Sequence, residues 1–79
     1  MTDTSNIHPT AIIHSSASID ASSIVGPYCV IGKDVVIGDK TSVGANNVID
    51  SGAIIGKNSI LSHNIHIYHR TEIGETCII

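Results

Sequence analysis

The chain has 79 residues, a formal net charge of −3, 42% hydrophobic residues and only 3% aromatic residues. This length suits one small domain, and without a basic cluster we expect no nucleic-acid partner. No apolar run reaches about 18 residues, so we expect no membrane span. The opening MTDTSNIHPT has no apolar signal core and the chain has two cysteines, so we expect a cytoplasmic protein.

A six-residue repeat begins at Ile7 and continues to the last residue. Residues 1–6 precede it, and we expect them to form an N-terminal cap or to be disordered. Six of the seven glycines directly follow a repeat position. Both prolines lie in the turns between the strands. Every sixth residue is aliphatic at 13 positions: Ile7, Ile13, Ile19, Val25, Ile31, Ile37, Val43, Ile49, Ile55, Leu61, Ile67, Ile73 and Ile79.

A period of six excludes an amphipathic helix, because 3.6 residues per turn would spread these aliphatic residues around the axis. Six is a multiple of two, so a short strand fits each repeat, and the glycine-rich segments between strands have turn chemistry. Three repeats then make a triangular coil of 18 residues. The sequence therefore predicts an all-β solenoid over residues 7–79 in which side chains 18 residues apart stack.

The repeat resembles that of the hexapeptide-repeat family, which forms a left-handed parallel β-helix of triangular cross-section. The resemblance implies the handedness, which the periodicity does not give. Residues 7–79 make about four 18-residue coils. The chain stops within a strand, at CII, and an uncovered apolar sheet edge is rare in natural proteins. We therefore expect a chain truncated at its C-terminal end, or an end that another chain covers.

The outward strand positions are unusually apolar, since eight of 12 are Ile or Val. Such patches mark interfaces, although a simple preference of strands for β-branched residues is the alternative. We predict a homotrimer with Ile12, Val30 and Val48 at the interface. The family resemblance also implies a trimer.

Three of the five histidines, His63, His66 and His69, lie in the run SHNIHIYHR. His63 and His69 fall on successive corners of the triangle. One side of the triangle spans about 15 Å at about 3.3 Å per residue, whereas zinc needs each ligand at about 2 Å from the metal. We therefore predict no metal site within the chain, although a site shared between subunits stays open. No phosphate-binding glycine loop is present, and no cofactor is expected.

The runs NIHPTAIIHSSASI and NIHIYHRTEIGETCII carry a narrower resemblance, to the acyltransferases of lipid A biosynthesis. The UDP-3-O-acylglucosamine N-acyltransferases are most similar, followed by the UDP-N-acetylglucosamine O-acyltransferases. This resemblance implies acyl transfer from an acyl carrier protein or acyl-CoA thioester to a nucleotide sugar. It also implies a histidine general base at a subunit boundary.

No position of the chain matches the family's catalytic histidine motif, so no catalytic residue is assigned from the family. We therefore expect the chain alone to be inactive. Within the chain the candidate bases are His69 first, on a corner beside Tyr68, and His66 second. Two alternatives stay open: a purely structural trimerising module, and a sugar O- or N-acetyltransferase of the same fold. An ice-binding type of surface is disfavoured, because regular outward threonine rows are absent.

Overall fold

The computed structural model describes residues 6–79, so the predicted cap over residues 1–6 lies, apart from Asn6, outside the described residues. Residues 6–79 contain strands and turns and no helix, so none of them forms a helix able to cross a membrane. The eleven strands are β1 (Ile12–Ile13), β2 (Ser18–Ile19), β3 (Ile24–Val25), β4 (Val30–Ile31), β5 (Val36–Ile37), β6 (Ser42–Val43), β7 (Val48–Ile49), β8 (Ile54–Ile55), β9 (Ile60–Leu61), β10 (His66–Ile67) and β11 (Glu72–Ile73).

The strands form three parallel sheets that are the three sides of a solenoid. Face 1 contains β1, β4, β7 and β10, face 2 contains β2, β5, β8 and β11, and face 3 contains β3, β6 and β9. Isolated bridges extend face 3 at both ends. Paired residues are 18 apart, as in Ile13↔Ile31 and Ile31↔Ile49, which confirms the predicted coil. At three strands per turn, the eleven strands make between three and four turns, and the solenoid fits the left-handed β-helix that the repeat predicts.

Each strand has one outward and one inward residue, because side chains alternate along an extended backbone. In the middle coils the inward residues are fully buried, as in Ile31, Ile37 and Ile49, whose exposed fractions are 2% or less. Burial of each such side chain contributes about 1.5–3 kcal/mol. At the two ends the inward Ile13 and Ile73 are only partly buried. The core is therefore a column of stacked aliphatic side chains that is best packed at mid-length.

Polar residues at a second inward position, two residues before a repeat aliphatic, connect successive coils by side-chain hydrogen bonds. Asn47 is completely buried. Its Nδ2 donates to the carbonyl of Ser62 (2.7 Å), and its Oδ1 accepts the backbone N–H of Ile65 (2.7 Å). Ser23, Thr41 and Ser59 occupy equivalent positions and donate to glycine carbonyls of the following turn. Within residues 6–79, no buried side-chain nitrogen or oxygen lacks a partner, as stability requires.

The corners from the second coil onward share a left-handed residue. Eight of these residues are not glycine: Tyr28, Asp34, Lys40, Asn46, Asn58, Asn64, Arg70 and Thr76. From the third coil, the N–H of this residue donates to a carbonyl of the preceding coil, as from Asn64 to Ala45 (3.0 Å). Inter-coil hydrogen bonding therefore fixes a conformation that most side chains disfavour.

Candidate functional site

Face 1 carries both the predicted interface residues and one of the predicted bases. Its outward column runs through Ile12, Val30, Val48 and His66, which pair in register across β1, β4, β7 and β10. Ile12 is 67% exposed and Val30 is 40% exposed, while Val48 is partly buried. The column thus changes from apolar in the first three coils to polar in the fourth.

His66 is held by a carboxylate of the preceding coil. Its Nε2 lies 2.9 Å from Oδ2 of Asp50, a residue that directly follows β7. Position 50 points outward because it follows the inward Ile49, so the two side chains meet diagonally across adjacent coils. Their side chains are 50% and 37% exposed, and an ion pair at this exposure contributes little to stability. The contact orients the imidazole and leaves its Nδ1 available.

Tyr68 completes a small cluster that we name the His66 cluster: His66, Asp50 and Tyr68. The rings of His66 and Tyr68 are 4.7 Å apart and nearly perpendicular, an edge-to-face arrangement that aromatic groups prefer. The sequence predicted the outward direction of His66 but missed Asp50 and the ring contact. The signal was available, because two outward residues separated by 16 positions are diagonal neighbours on adjacent coils.

The other histidines lie elsewhere and are not brought together. His69, the first candidate from the sequence, is exposed on the corner after β10, and within residues 6–79 its side chain has no hydrogen-bond partner. His63 lies on a different corner, where its Nδ1 accepts the backbone N–H of Ala45. His8 and His14 occupy corners of the first coil. Sequence and structure therefore agree that these residues are spread along the solenoid.

The His66 cluster has the chemistry of a general base. A carboxylate on one imidazole nitrogen fixes the ring orientation, and the free nitrogen can accept a proton. Among residues 6–79, no group of three or more His, Cys, Asp or Glu side chains is placed to hold a metal ion. The cluster lies on an open face, so a second molecule would be needed to enclose a substrate there.

Six-residue repeats that stack into three-sided coils are typical of hexapeptide-repeat proteins. Residues 16–51 match the family model described as bacterial transferase hexapeptide (six repeats). This match spans the second coil and parts of its two neighbours, and it includes Val30 and Val48 of face 1. The predicted resemblance to hexapeptide-repeat transferases is thereby confirmed.

The comparison with solved structures found the UDP-N-acetylglucosamine acyltransferase of Francisella novicida, at 29% sequence identity and a TM-score of 0.44. The match covers 87% of this chain and 45% of that enzyme, so the chain spans less than half of the length of this relative. No curated protein matches the chain.

Proposed function

We propose that the chain is the repeat region of an acyltransferase that moves an acyl group from a thioester to a nucleotide-activated sugar. The match of residues 16–51 to the bacterial transferase repeat carries this proposal. The donor is an acyl carrier protein or acyl-CoA, and the acceptor is a nucleotide sugar of the lipid A type. The free thiols Cys29 and Cys77 support a reducing, cytoplasmic location.

The acyl transfer forms an amide or ester bond on the sugar and breaks the thioester C–S bond. A base must remove the proton of the attacking amine or hydroxyl, and this proton finally reaches the leaving thiolate. Within the chain, His66 is better placed for this role than His69, because Asp50 orients its ring (2.9 Å). Nδ1 of His66 is the atom that would take the proton. This order reverses the one given by the sequence, where His69 came first.

A homotrimer through face 1 would supply the enclosed site that one chain lacks. The apolar Ile12, Val30 and Val48 would lie between subunits, and the His66 cluster would lie at the boundary of the same contact. Ile12 and Val30 are at least 40% exposed, and burying this apolar surface in an interface would be favourable. This arrangement is supported by continuity of the apolar column with His66.

The activity test compares the whole protein that carries this chain with the 79-residue chain alone. Each is incubated with a radiolabelled acyl thioester and a nucleotide sugar, and labelled sugar is measured by chromatography. We expect transfer by the whole protein and none by the chain alone. Transfer by the chain alone would place the base within it, and His66→Gln against His69→Gln would then identify that base.

Two other outcomes favour the alternatives. A preference for acetyl-CoA over a long-chain acyl thioester would indicate a sugar acetyltransferase of the same fold. Absence of transfer with every donor, together with a stable trimer, would support the structural trimerising module and overturn the acyltransferase proposal.

The assembly test uses two closely matched valines. Val30 on β4 and Val36 on β5 are each followed by an inward isoleucine and are 40% and 42% exposed. Val30→Lys should convert the trimer to a monomer in light scattering, whereas Val36→Lys on face 2 should leave it intact. The opposite result would assign the interface to face 2, and a monomeric unsubstituted chain would remove the trimer from the proposal.

A further inference from the structure

The three corners of the first coil share a design that the later coils lack. The residue after each repeat aliphatic, glycine in most later coils, is here His8, His14 or Asp20. Each side chain accepts the backbone N–H of the residue two positions later, closing the turn. The three bonds are Thr10 N–H to His8 Nδ1 (3.2 Å), Ser16 N–H to His14 Nδ1 (3.1 Å) and Ser22 N–H to Asp20 Oδ1 (3.0 Å).

Hydroxyl groups at these corners connect the first coil to the second. Thr10, Ser16 and Ser22 accept the N–H groups of the left-handed residues of the second coil at 2.9, 3.0 and 2.9 Å respectively. In the later coils a backbone carbonyl accepts the corresponding N–H. Each hydroxyl also lies 2.7–2.8 Å from the side chain that closes its own corner. Since the hydroxyl oxygen accepts from the second coil, its hydrogen is available for that side chain.

Two of the three corners therefore depend on an imidazole nitrogen that carries no proton. A neutral histidine has one acceptor nitrogen, whereas an imidazolium has two donors and no acceptor. Protonation of His8 or His14 would place an N–H against the N–H of Thr10 or Ser16. His63 has the same dependence in the fourth coil, because its Nδ1 accepts the N–H of Ala45 at 2.7 Å.

The Asp20 corner does not share this dependence. Hydrogen bonds from the backbone N–H and then the hydroxyl of Ser22 lower the pKa of Asp20 below its usual 3.8. Asp20 therefore stays an ionised acceptor between pH 7.5 and pH 5, the range in which histidines gain a proton. The first coil thus contains its own internal control.

We propose that the first coil is a pH-sensitive end of the solenoid, which opens when His8 and His14 are protonated. This coil is easier to open than the middle coils, because its inward Ile7, Ile13 and Ile19 are only partly buried. Opening exposes the edge of the second coil, whose inward residues are otherwise fully covered. Within residues 6–79, acidification therefore moves the accessible sheet edge from the first coil to the second.

Among residues 6–79, no carboxylate lies within ion-pair distance of the ring of His8, His14 or His63. The corner above His8 contains Tyr28, and the corner above His14 contains Lys33 and Asp34, one charge of each sign. The corner below His63, at Ala45 and Asn46, is uncharged. Within residues 6–79, the histidine that contacts a carboxylate is His66, which lies far from the first coil along face 1.

The test measures amide hydrogen exchange of the full chain at pH 7.5 and pH 5, corrected for the intrinsic exchange rate at each pH. Loss of one net hydrogen bond should reduce protection at Thr10 and Ser16 by about tenfold, with a smaller change at Ser22. The double variant His8→Asp with His14→Asp copies the Asp20 corner and should lose this pH dependence. His69→Asn is the matched control and should retain it.

Equal protection of Thr10 and Ser16 at the two pH values would overturn the proposal. So would a double aspartate variant that keeps the drop seen in the unsubstituted chain. If that variant does not fold, His8→Asn with His14→Asn also provides a pH-independent oxygen acceptor and must show the same insensitivity. A long-range nitrogen–proton NMR spectrum at pH 7.5 should further show His8, His14 and His63 with the proton on Nε2, and another tautomer would contradict the mechanism.

Discussion

Substitution of Asn47 by alanine tests whether buried side-chain hydrogen bonds hold neighbouring coils together. The amide of Asn47 is fully buried and satisfies the carbonyl of Ser62 and the N–H of Ile65, each at 2.7 Å. Alanine would leave these two partly buried backbone groups without their side-chain partner, at up to about 1–3 kcal/mol each. A chain of 79 residues is stable by about 4–12 kcal/mol, from 0.05–0.15 kcal/mol per residue. The substitution should therefore remove a large share of the free energy of unfolding.

The assay is urea unfolding followed by β circular dichroism. A loss of about 3 kcal/mol, with a slope of about 1–3 kcal/mol per molar urea, lowers the midpoint by about 1–3 M. Ser18→Ala, at an exposed outward position on β2, is the control and should change stability by less than about 0.5 kcal/mol. If Asn47→Ala lowers the free energy of unfolding by no more than this control does, the buried amide does not hold the coils together.

Asn47→Asp separates the acceptor from the donor. A carboxylate can still accept the N–H of Ile65, but it places a second acceptor against the carbonyl of Ser62. A protonated carboxyl group can donate there as the amide does. Acid should therefore stabilise the aspartate variant relative to the unsubstituted chain. A difference in midpoint that does not change with pH would contradict this assignment of the two bonds.

Three further predictions concern the corners. Thr76→Gly should raise the urea midpoint. A threonine at a φ of 57° costs about 1–2 kcal/mol, whereas glycine costs only about 0.5–1 kcal/mol in chain entropy. A lower midpoint would show that the backbone at Thr76 is not strained. Gly56→Ala should lower the free energy of unfolding by about 1–3 kcal/mol, because its Cβ would lie 2.6 Å from backbone atoms of Gly74. Gly74→Ala meets nothing closer than 3.9 Å and should be tolerated. Asp20→Asn should weaken the acid dependence of unfolding: the folded-state pKa of Asp20 is lowered, so its stabilisation is present above pH 3.8 and is lost as pH falls through the lower value. Equal acid dependence in both chains would argue against that contribution.

The repeat alone was sufficient to predict the coil, the register and the direction of most side chains. Ile31 pairs with Ile49 and Val30 with Val48, as the 18-residue spacing requires. The prediction succeeds because each hexapeptide meets the same demands: one buried aliphatic residue, one outward residue and one turn. A register shift would expose the whole buried column, so few alternatives compete.

The corner conformations were less predictable, because they depend on the coil before. Asn58 and Asn64 are residues that tolerate a left-handed backbone, but Lys40, Arg70 and Thr76 adopt it as well. Their N–H groups donate to the preceding coil, either to a carbonyl or, for Lys40, to the hydroxyl of Ser22. This interaction between coils outweighs the local preference of the residue. The sequence of a single hexapeptide does not reveal this inter-coil hydrogen bond.

The candidate site shows the same division between local and inter-coil information. The alternation of the strand predicts that His66 points outward, and it does so on β10. His66 is a better candidate base than His69 because Asp50 contacts its ring. Asp50 lies 16 positions earlier and becomes a neighbour only when the coils are stacked. The acceptor roles of His8 and His14 also depend on contacts of their ring nitrogens. The residue types were visible in the sequence, but their partners were not.

The separation of inward and outward residues has a consequence for how function can be tested in this fold. The inward columns supply the buried apolar surface, so outward substitutions such as Val30→Lys leave the folding energy largely unchanged and report on association. Along face 1, the change from Val48 to His66 places polar chemistry directly beside an apolar contact surface. An acyl transfer site needs both, because a fatty chain requires an apolar wall and the attacking group requires a base. If face 1 is the interface, substitution at Val48 should therefore disturb assembly and His66-dependent chemistry together, whereas substitution at Val36 should disturb neither.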